Sequence, residues 1–248
     1  MISTQNHGSA HARNLSINAS NGDNLLFLDS DDQLNAAALG QIFESNLFEI
    51  DCDAFRFGYR TNQGDVFESL DSLSPELLFR QRGFWRYIYK REFLLKNHIR
   101  FLPDITEAKG FYVLDDWYFL LQFLANTPRI QIFNIILYFY NNHAIDSSQS
   151  VSYIRQLALE HNSFHALSKH LMLYPCNNSQ FLVNSLFLRF VMIFDLIDPP
   201  PSLTSRTKLA YSFVFILHKL NLPLKGKLTF RTLILLARKL YRKIFFLR

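Results

Sequence analysis

Three carboxylates directly follow a short, mainly apolar run near the start of the chain. The run occupies residues 24–28, Asp29, Asp31 and Asp32 come next, and residues 34–48 have the spacing of a helix. Such a run bounded by polar residues is typical of a buried strand in a covered sheet. The acids are then expected at its carboxyl end, where open α/β sheets bind ligands. Clustered carboxylates are costly there unless neutralised, so the sequence predicts a divalent cation.

The residues before this run contain a second ordered pattern. The chain is helix-like from Gly8 to residue 19, and residues 21–23 are a turn signal that leads into the strand. The order N-x-G-x-x-x-A-R-N, a short helix, a G-[DE] turn and F-L-D-S-D-D closely resembles the middle of family 2 glycosyltransferases. These enzymes have the GT-A fold and use nucleotide sugars. The alternative from the residues alone is that Asp32 caps the next helix and Asp29 ends a strand.

A second acidic pair stands at the predicted start of another helix. Asp115 and Asp116 precede Trp117, and the segment resembles the family's E-D-W motif beside the acceptor site, with Asp115 in place of the usual Glu. The resemblance implies that Asp116 removes the proton from the acceptor hydroxyl and that Trp117 lines the acceptor site. A carboxylate suits that task, and a neighbouring like charge raises the pKa of the pair. The alternative is that both acids are only first-turn residues that interact favourably with the helix dipole.

The resemblance also implies a donor site. Arg13 would help to hold the nucleotide, while Asp29 and Asp31 would address the donor ribose and a Mg²⁺ or Mn²⁺ ion. His143 lies in a segment that resembles the family's L-Y-x-Y-R-x-H-x-x-S-x-S ending, and would contact the metal or the diphosphate. Asn141 stands where Arg is common, and the following loop is longer than usual. A solvated loop histidine is therefore an equal alternative.

Between and after the acidic segments the pattern predicts further strands. Residues 53–60 alternate as a half-buried strand does, and residues 62–65 are a turn signal for a hairpin. Residues 84–95 resemble the family's W-x-K-L-Y-R-R-E-x-L segment, a strand that runs into a helix, with aromatic residues that pack rather than contact sugar. Residues 129–133 and 134–143 are predicted to be closing strands.

The resemblance begins after the family's first two strands, which carry I-P-x-Y-N and D-D-G-S and have no counterpart here. The expected fold is therefore an α/β, GT-A-like (Rossmann-like) mixed sheet, N-terminally truncated, over residues 1–150, followed by a helical region over 151–248. A sheet without those strands is expected to expose unpaired edges. The expected activity is metal-dependent, inverting transfer from a nucleotide-sugar donor to a surface-polysaccharide or lipid-linked glycan. The alternative is a catalytically inactive remnant that binds a glycan or a partner protein.

Charge is distributed unevenly along the chain. Residues 1–198 carry 15 Lys/Arg and 21 Asp/Glu, whereas residues 199–248 carry 11 Lys/Arg and no acidic residue. Residues 229–246 place apolar and basic side chains on opposite sides of a predicted helix, which favours an anionic membrane surface as partner. The expected location is cytoplasmic, peripheral on the inner face of the cell membrane. A helix packed on the body is the alternative, and no nucleic-acid partner is expected because the body is acidic.

Cysteine content and hydropathy exclude several other classes. The chain has two cysteines, Cys52 and Cys176, in different predicted elements, which excludes a disulfide framework and a cysteine zinc site and fits a reducing compartment. The polar amino end shows no signal peptide. No stretch reaches the roughly 18 apolar residues that a membrane span needs.

Overall fold

The computed structural model describes residues 5, 7–68, 83–102, 115–141, 163, 166–182 and 184–186. Within them a six-stranded mixed sheet is flanked by helices, which confirms the α/β class. The strands are β1 (Asn24–Leu26), β2 (Gln33–Leu34), β3 (Ala54–Thr61), β4 (Val66–Phe67), β5 (Tyr87–Lys90) and β6 (Ile130–Tyr140). The helices are α1 (Ser9–Ala19), α2 (Ala36–Glu44), α3 (Arg91–Lys96) and α4 (Asp115–Ala125), with 3₁₀ turns at Asn46–Glu49 and Phe84–Arg86. Residues 166–173 and 179–182 are also helical.

Strand β3 is the centre of the sheet because it pairs with three other strands. Strand β6 runs parallel along one side of it, while β5 and β4 share the other side, antiparallel, at residues 54–56 and 59–60. Beyond β5 lies β1, and beyond β6 lies β2, each antiparallel to its neighbour. Strands β1, β3 and β6 therefore point the same way, and their carboxyl ends lie at one edge of the sheet.

Two apolar clusters cover opposite faces of this sheet. Residues alternate between faces along a strand, and Tyr87 and Tyr89 of β5 belong to one cluster whereas Ile88 belongs to the other. The first cluster contains buried residues of α1, α4 and the 166–186 region, and the second contains buried residues of α2. The described residues thus form three layers, with the sheet in the middle.

The half-buried prediction for residues 53–60 is wrong, because β3 is covered on both faces. Residues 54–58 are all buried, and Arg56 is only 1% exposed. The guanidinium carbon of Arg56 lies 5.8 Å from the ring centroid of Tyr87. An arginine that covers an aromatic ring can lie inside the fold, although the sequence pattern presents it as a solvent-facing residue.

Several predicted elements are present with altered limits. The helix after Gly8, the hairpin at residues 62–65 and the strand-to-helix segment at 84–95 are confirmed by α1, by β3–β4 and by β5–α3. The helix expected from residue 34 starts two residues later, because Asn35 is held by β6. Its backbone N–H donates to the Leu137 carbonyl oxygen at 2.8 Å, and its side-chain oxygen caps α2.

Strand β1 is shorter than expected and lies at the edge of the described sheet. The Arg91 N–H donates to the Asp23 carbonyl oxygen at 2.8 Å. Because bonded and non-bonded pairs alternate in antiparallel strands, the backbone of Leu25 faces β5 and that of Asn24 and Leu26 faces away. No strand among the described residues pairs with that outer side. The side-chain oxygen of Asn24 is buried there without a hydrogen-bond partner in the described part of the chain.

The expected C-terminal elements are only partly within the described residues. Residues 174–178 interrupt the helical pattern around Pro175, as predicted. The basic helix expected at residues 229–246 lies outside the described ranges, as does the whole region from residue 187 onward. No helix within those ranges combines the length and the apolar character that a membrane crossing needs.

Close packing at Gly58 yields a test of the β3 pairing. A Cβ atom at Gly58 would lie 2.7 Å from Cδ1 of Ile136 and 3.0 Å from the Phe67 carbonyl oxygen. We expect Gly58→Val to lower the free energy of unfolding by about 1–3 kcal/mol, since β4 or β6 must shift. As a control, Gly40→Ala in α2 adds a Cβ that meets no atom within 4 Å, and should raise it by about 0.5–1 kcal/mol. Urea unfolding followed by circular dichroism measures both, and a Gly58→Val protein as stable as wild type would contradict this packing.

Candidate functional site

The acidic turn, residues 29–32, crosses the carboxyl edge of the sheet. Residues 27–32 connect β1 at one side of the sheet with β2 at the other, so they must pass the strands between them. With about 4.8 Å between strands the span is about 19 Å, and the chain from residue 26 to residue 33 reaches at most about 24 Å. Residues 27–32 must therefore be nearly extended, and they place the carboxylates along the carboxyl ends of the strands.

Hydrogen bonds link this turn to the ends of β3 and β6. The turn is closed by a bond from the Asp32 N–H to the Asp29 carbonyl oxygen at 3.1 Å. The Asn141 N–H donates to Oδ1 of Asp32 at 2.7 Å, and Nδ2 of Asn62 donates to Oδ1 of Asn141 at 2.7 Å. Residues that follow three different strands are thus joined at one place.

Asp32 is the structural anchor of the acidic turn. It is 8% exposed, and the Tyr138 hydroxyl donates to its Oδ2 at 2.7 Å. Burial raises the pKa of the Asp32 carboxyl, the bonds from Asn141 and Tyr138 lower it, and the other two carboxylates of the turn raise it further. The helix-cap alternative for Asp32 is wrong, because Asn35 caps α2.

Arg13 and Asp29, both predicted for the donor site, form an ion pair. The distance from the Arg13 Nη2 to the Asp29 Oδ1 is 2.7 Å, and the two side chains are 20% and 34% exposed. The guanidinium carbon lies 4.6 Å from the Phe84 ring centroid and 5.3 Å from that of Phe101. The Asp29 N–H also donates to the Tyr138 hydroxyl at 3.2 Å. Both side chains are therefore oriented, and Oδ2 of Asp29 is outside the ion pair.

Asp31 differs from its two neighbours because its side chain is exposed. Within the described part of the chain no hydrogen bond or ion pair engages its carboxylate. No group of three His, Cys, Asp or Glu residues there is arranged to hold a metal ion, and His143 lies outside the described residues. Mg²⁺ is commonly held by one or two carboxylates together with substrate phosphates. Asp31 and the second oxygen of Asp29 do not belong to a closed metal cage within the described part of the chain.

The second acidic pair begins helix α4, as predicted. The Trp117 N–H donates to Oδ1 of Asp116 at 2.7 Å, a bond within the first turn. The side chain of Asp115 lies outside the described part. Burial raises the pKa of the Tyr140 phenol, and four carboxylates raise it further: Asp32, Asp31, Asp29 and Asp116. Charges of both acidic segments therefore act on the Tyr140 phenol at the end of β6.

Trp117 lies in the core and not at the surface. Its side chain is 1% exposed, it belongs to the cluster with α1 and α4, and its ring packs edge-on against Tyr118 at 4.8 Å. An acceptor contact through this side chain stays a prediction, and its burial disfavours that role.

Two tyrosines of the site, Tyr138 and Tyr140, were not predicted from the sequence. Tyr138 bonds the acidic turn, and burial together with four carboxylates raises the pKa of the Tyr140 phenol. Their spacing of two at the end of a predicted strand is a signal that both occupy one face. That signal does not tell which residues lie opposite them.

The burial of Asp32 predicts a pH dependence of stability. Its folded pKa is raised above the ordinary value of 3.8, so the folded state holds the proton more tightly than the unfolded state. The stability contributed by the protonated carboxyl is complete below 3.8 and is lost as pH rises through the folded pKa. We expect the free energy of unfolding of wild type to fall relative to Asp32→Asn over that window. Urea titrations from about pH 3 to pH 7 measure the free energy of unfolding of both proteins. If wild type gained stability relative to Asp32→Asn as the pH rises, the raised pKa of Asp32 would be contradicted.

The Tyr138 hydroxyl gives a second test of the same anchor. Tyr138→Phe removes a donor to a buried carboxylate, and we expect the free energy of unfolding to fall by about 1–3 kcal/mol. Tyr59→Phe is the matched control, because the Tyr59 ring lies beside the same strand and no described residue hydrogen-bonds its hydroxyl. Its change should stay within about 0.5 kcal/mol. Equal losses in the two variants would show that the anchor bond is unimportant.

Comparison with known proteins assigns no family to this chain. No family model matches it, and no curated protein matches it either. Its function is therefore argued from the chemistry of the site itself.

Proposed function

We propose that the chain is a GT-A-like glycosyltransferase that moves a sugar from a nucleotide-sugar donor to a glycan acceptor, with inversion and with a divalent cation. The observation that carries the proposal is the fixed position of the acidic turn at the carboxyl edge of the sheet: Asp32 accepts hydrogen bonds from Tyr138 and Asn141, and the neighbouring Asp31 is exposed. Open α/β sheets bind ligands at this edge. Asp116, which the sequence assigns to the acceptor side, lies in the first turn of helix α4.

On the donor side the proposal assigns separate tasks to the acids of the turn. Asp31 and Oδ2 of Asp29 would hold Mg²⁺ or Mn²⁺, which when bound would neutralise the diphosphate leaving group. Asp32 would take no part in ligand binding, since both of its oxygens accept hydrogen bonds from β6 and from the residue after it. Arg13 would position Asp29 and offer its positive charge to the nucleotide phosphates.

On the acceptor side Asp116 would act as the base. The acceptor oxygen would form a bond to the anomeric carbon while the bond from that carbon to the diphosphate breaks, and the hydroxyl proton would pass to Asp116. The bond from the Trp117 N–H fixes one carboxylate oxygen of Asp116.

A second candidate is a non-catalytic chain that binds a glycan or a partner protein. Two observations favour it: the outer side of β1 pairs with no described strand, and the Arg13–Asp29 ion pair engages two groups that a nucleotide would use. In either case the basic segment at residues 199–248 would bring the chain to an anionic membrane surface, in the cytoplasm at the inner face of the cell membrane. That segment lies outside the described residues.

Nucleotide binding decides between these candidates. Calorimetric titration of the full chain with UDP, GDP and CMP, with and without Mn²⁺, should reveal metal-dependent binding that Asp31→Asn weakens at least about tenfold. Asp23→Asn is the control, since it removes an exposed carboxylate at the amino end of β1, on the opposite edge. Where binding is found, Asp116→Asn should lower sugar transfer by about 10²–10⁴-fold.

The outcomes separate the two candidates. Loss of binding in Asp31→Asn alone supports the transferase. Equal loss in Asp23→Asn indicates a general charge effect and contradicts a site at the acidic turn. A folded chain that binds none of the nucleotides favours the non-catalytic candidate.

A further inference from the structure

Four partly exposed rings form an aromatic platform beside the acidic turn: Tyr59, Phe67, Trp85 and Tyr140. Tyr59 stacks on Phe67 with centroids 4.6 Å apart and planes 7° apart, and Trp85 stacks on Tyr140 at 5.4 Å and 4°. The two stacked pairs are perpendicular, since the ring planes of Tyr59 and Trp85 differ by 88° at 4.9 Å. Trp85 also stacks on the buried Tyr138 at 4.4 Å.

The aromatic platform is separate from the two apolar clusters of the core. Tyr59, Phe67 and Tyr140 belong to neither cluster, and Trp85 lies at the margin of one. Phe67 is 40% exposed. Aromatic rings that are not used to fill a core, and that remain open to solvent, are typical of a recognition surface.

Polar groups surround this platform on the side of the carboxyl edge. The Asn62 and Asn141 side chains lie directly after the strands that carry Tyr59 and Tyr140, and are joined at 2.7 Å. The exposed Asp31 is next to Asp32, which accepts the hydroxyl hydrogen bond of Tyr138, the ring on which Trp85 stacks. Flat apolar faces bordered by carboxylate and amide groups match a sugar ring, which presents C–H groups on its faces and hydroxyl groups around its edge.

A cationic ligand is the other chemistry that rings and acids attract, and it fits less well. The guanidinium carbon of Arg86 already lies 4.7 Å from the Tyr59 centroid. Although burial lowers the pKa of Arg86 to about 10, the side chain is charged at neutral pH. The Arg86 guanidinium therefore already makes the cation–π contact with Tyr59, and its charge repels a second cation. An anion is disfavoured by the neighbouring carboxylates.

We propose that the aromatic platform is a subsite for a neutral oligosaccharide, with sugar rings lying on Phe67 and Tyr140 and their hydroxyl groups bonded to the surrounding carboxylates and amides. This inference rests on the proposed function, for which it supplies the acceptor class. It also stands for a non-catalytic glycan-binding chain, because it needs neither nucleotide nor metal.

Neighbouring residues of β4 give a matched pair of variants. Phe67 pairs with Tyr59, and Val66 pairs with Arg60 on the opposite face; the two side chains are 40% and 48% exposed. The full chain is titrated with neutral tetrasaccharides of glucose, galactose, mannose or N-acetylglucosamine, with tryptophan fluorescence and calorimetry as readouts. Phe67→Ala should weaken binding about tenfold or more, while Val66→Ala leaves it unchanged. Tyr140→Phe should retain more affinity than Tyr140→Ala, since it keeps the ring.

The results distinguish this inference from the proposed function. A chain that binds nucleotide through Asp31 but none of the tetrasaccharides overturns the subsite and leaves the donor site intact. Tetrasaccharide binding that depends on Phe67 without nucleotide binding supports the subsite and contradicts the transferase. Equal effects of Phe67→Ala and Val66→Ala overturn the subsite. So does Phe67-dependent binding of tetramethylammonium in place of the sugars.

Discussion

The parallel pairing of β3 with β6 is the constraint on which the described fold and its site depend. It runs from Ala54 to the last residues of both strands and gives β3 and β6 a common carboxyl edge. Gly58 permits it, because β4 and β6 approach β3 from both sides at a point where a Cβ would meet Ile136 at 2.7 Å. The two-sided burial of β3 follows, and so does the need for Arg56 to rest on an aromatic ring instead of in water.

At this edge the site depends on a buried carboxylate that is not itself offered to a ligand. Asp32 accepts bonds from Tyr138 and Asn141 and so ties the acidic turn to the carboxyl end of β6. Ionising a buried carboxylate is costly, and this cost is offset in part by the two hydrogen bonds. The tie leaves Asp31 exposed in a fixed turn. In the function proposed above, this support would hold one accessible carboxylate in place for a cation.

The sequence allowed the local part of this arrangement to be predicted, but not the long-range part. The boundary between apolar and acidic residues predicted the turn at the end of a strand, and the spacing of Tyr138 and Tyr140 is compatible with a shared face. The partner of Tyr138 is 106 residues away, and the β3–β6 register shifts twice around Gly58. The first shift adds two residues to β6 and the second adds one. A shift of one residue reverses the face of every later side chain, so no periodicity argument could locate the Tyr138–Asp32 bond. The burial of Trp117 was missed for the same kind of reason, since α4 packs on a face that the local pattern does not reveal.

The Arg13–Asp29 ion pair occupies two groups that a donor would use. The free energy of this pair, compared with that of nucleotide binding, shows whether a donor could replace it. A partly exposed pair of this kind contributes up to about 1 kcal/mol, and the two flanking rings add about 0.5–1 kcal/mol for the guanidinium. Micromolar binding of a nucleotide corresponds to about 8 kcal/mol. A diphosphate could therefore share or replace the carboxylate as the partner of Arg13 at a small cost, because its own charge would restore most of what the ion pair loses. The pair is compatible with a donor site and holds Asp29 in place before a ligand arrives.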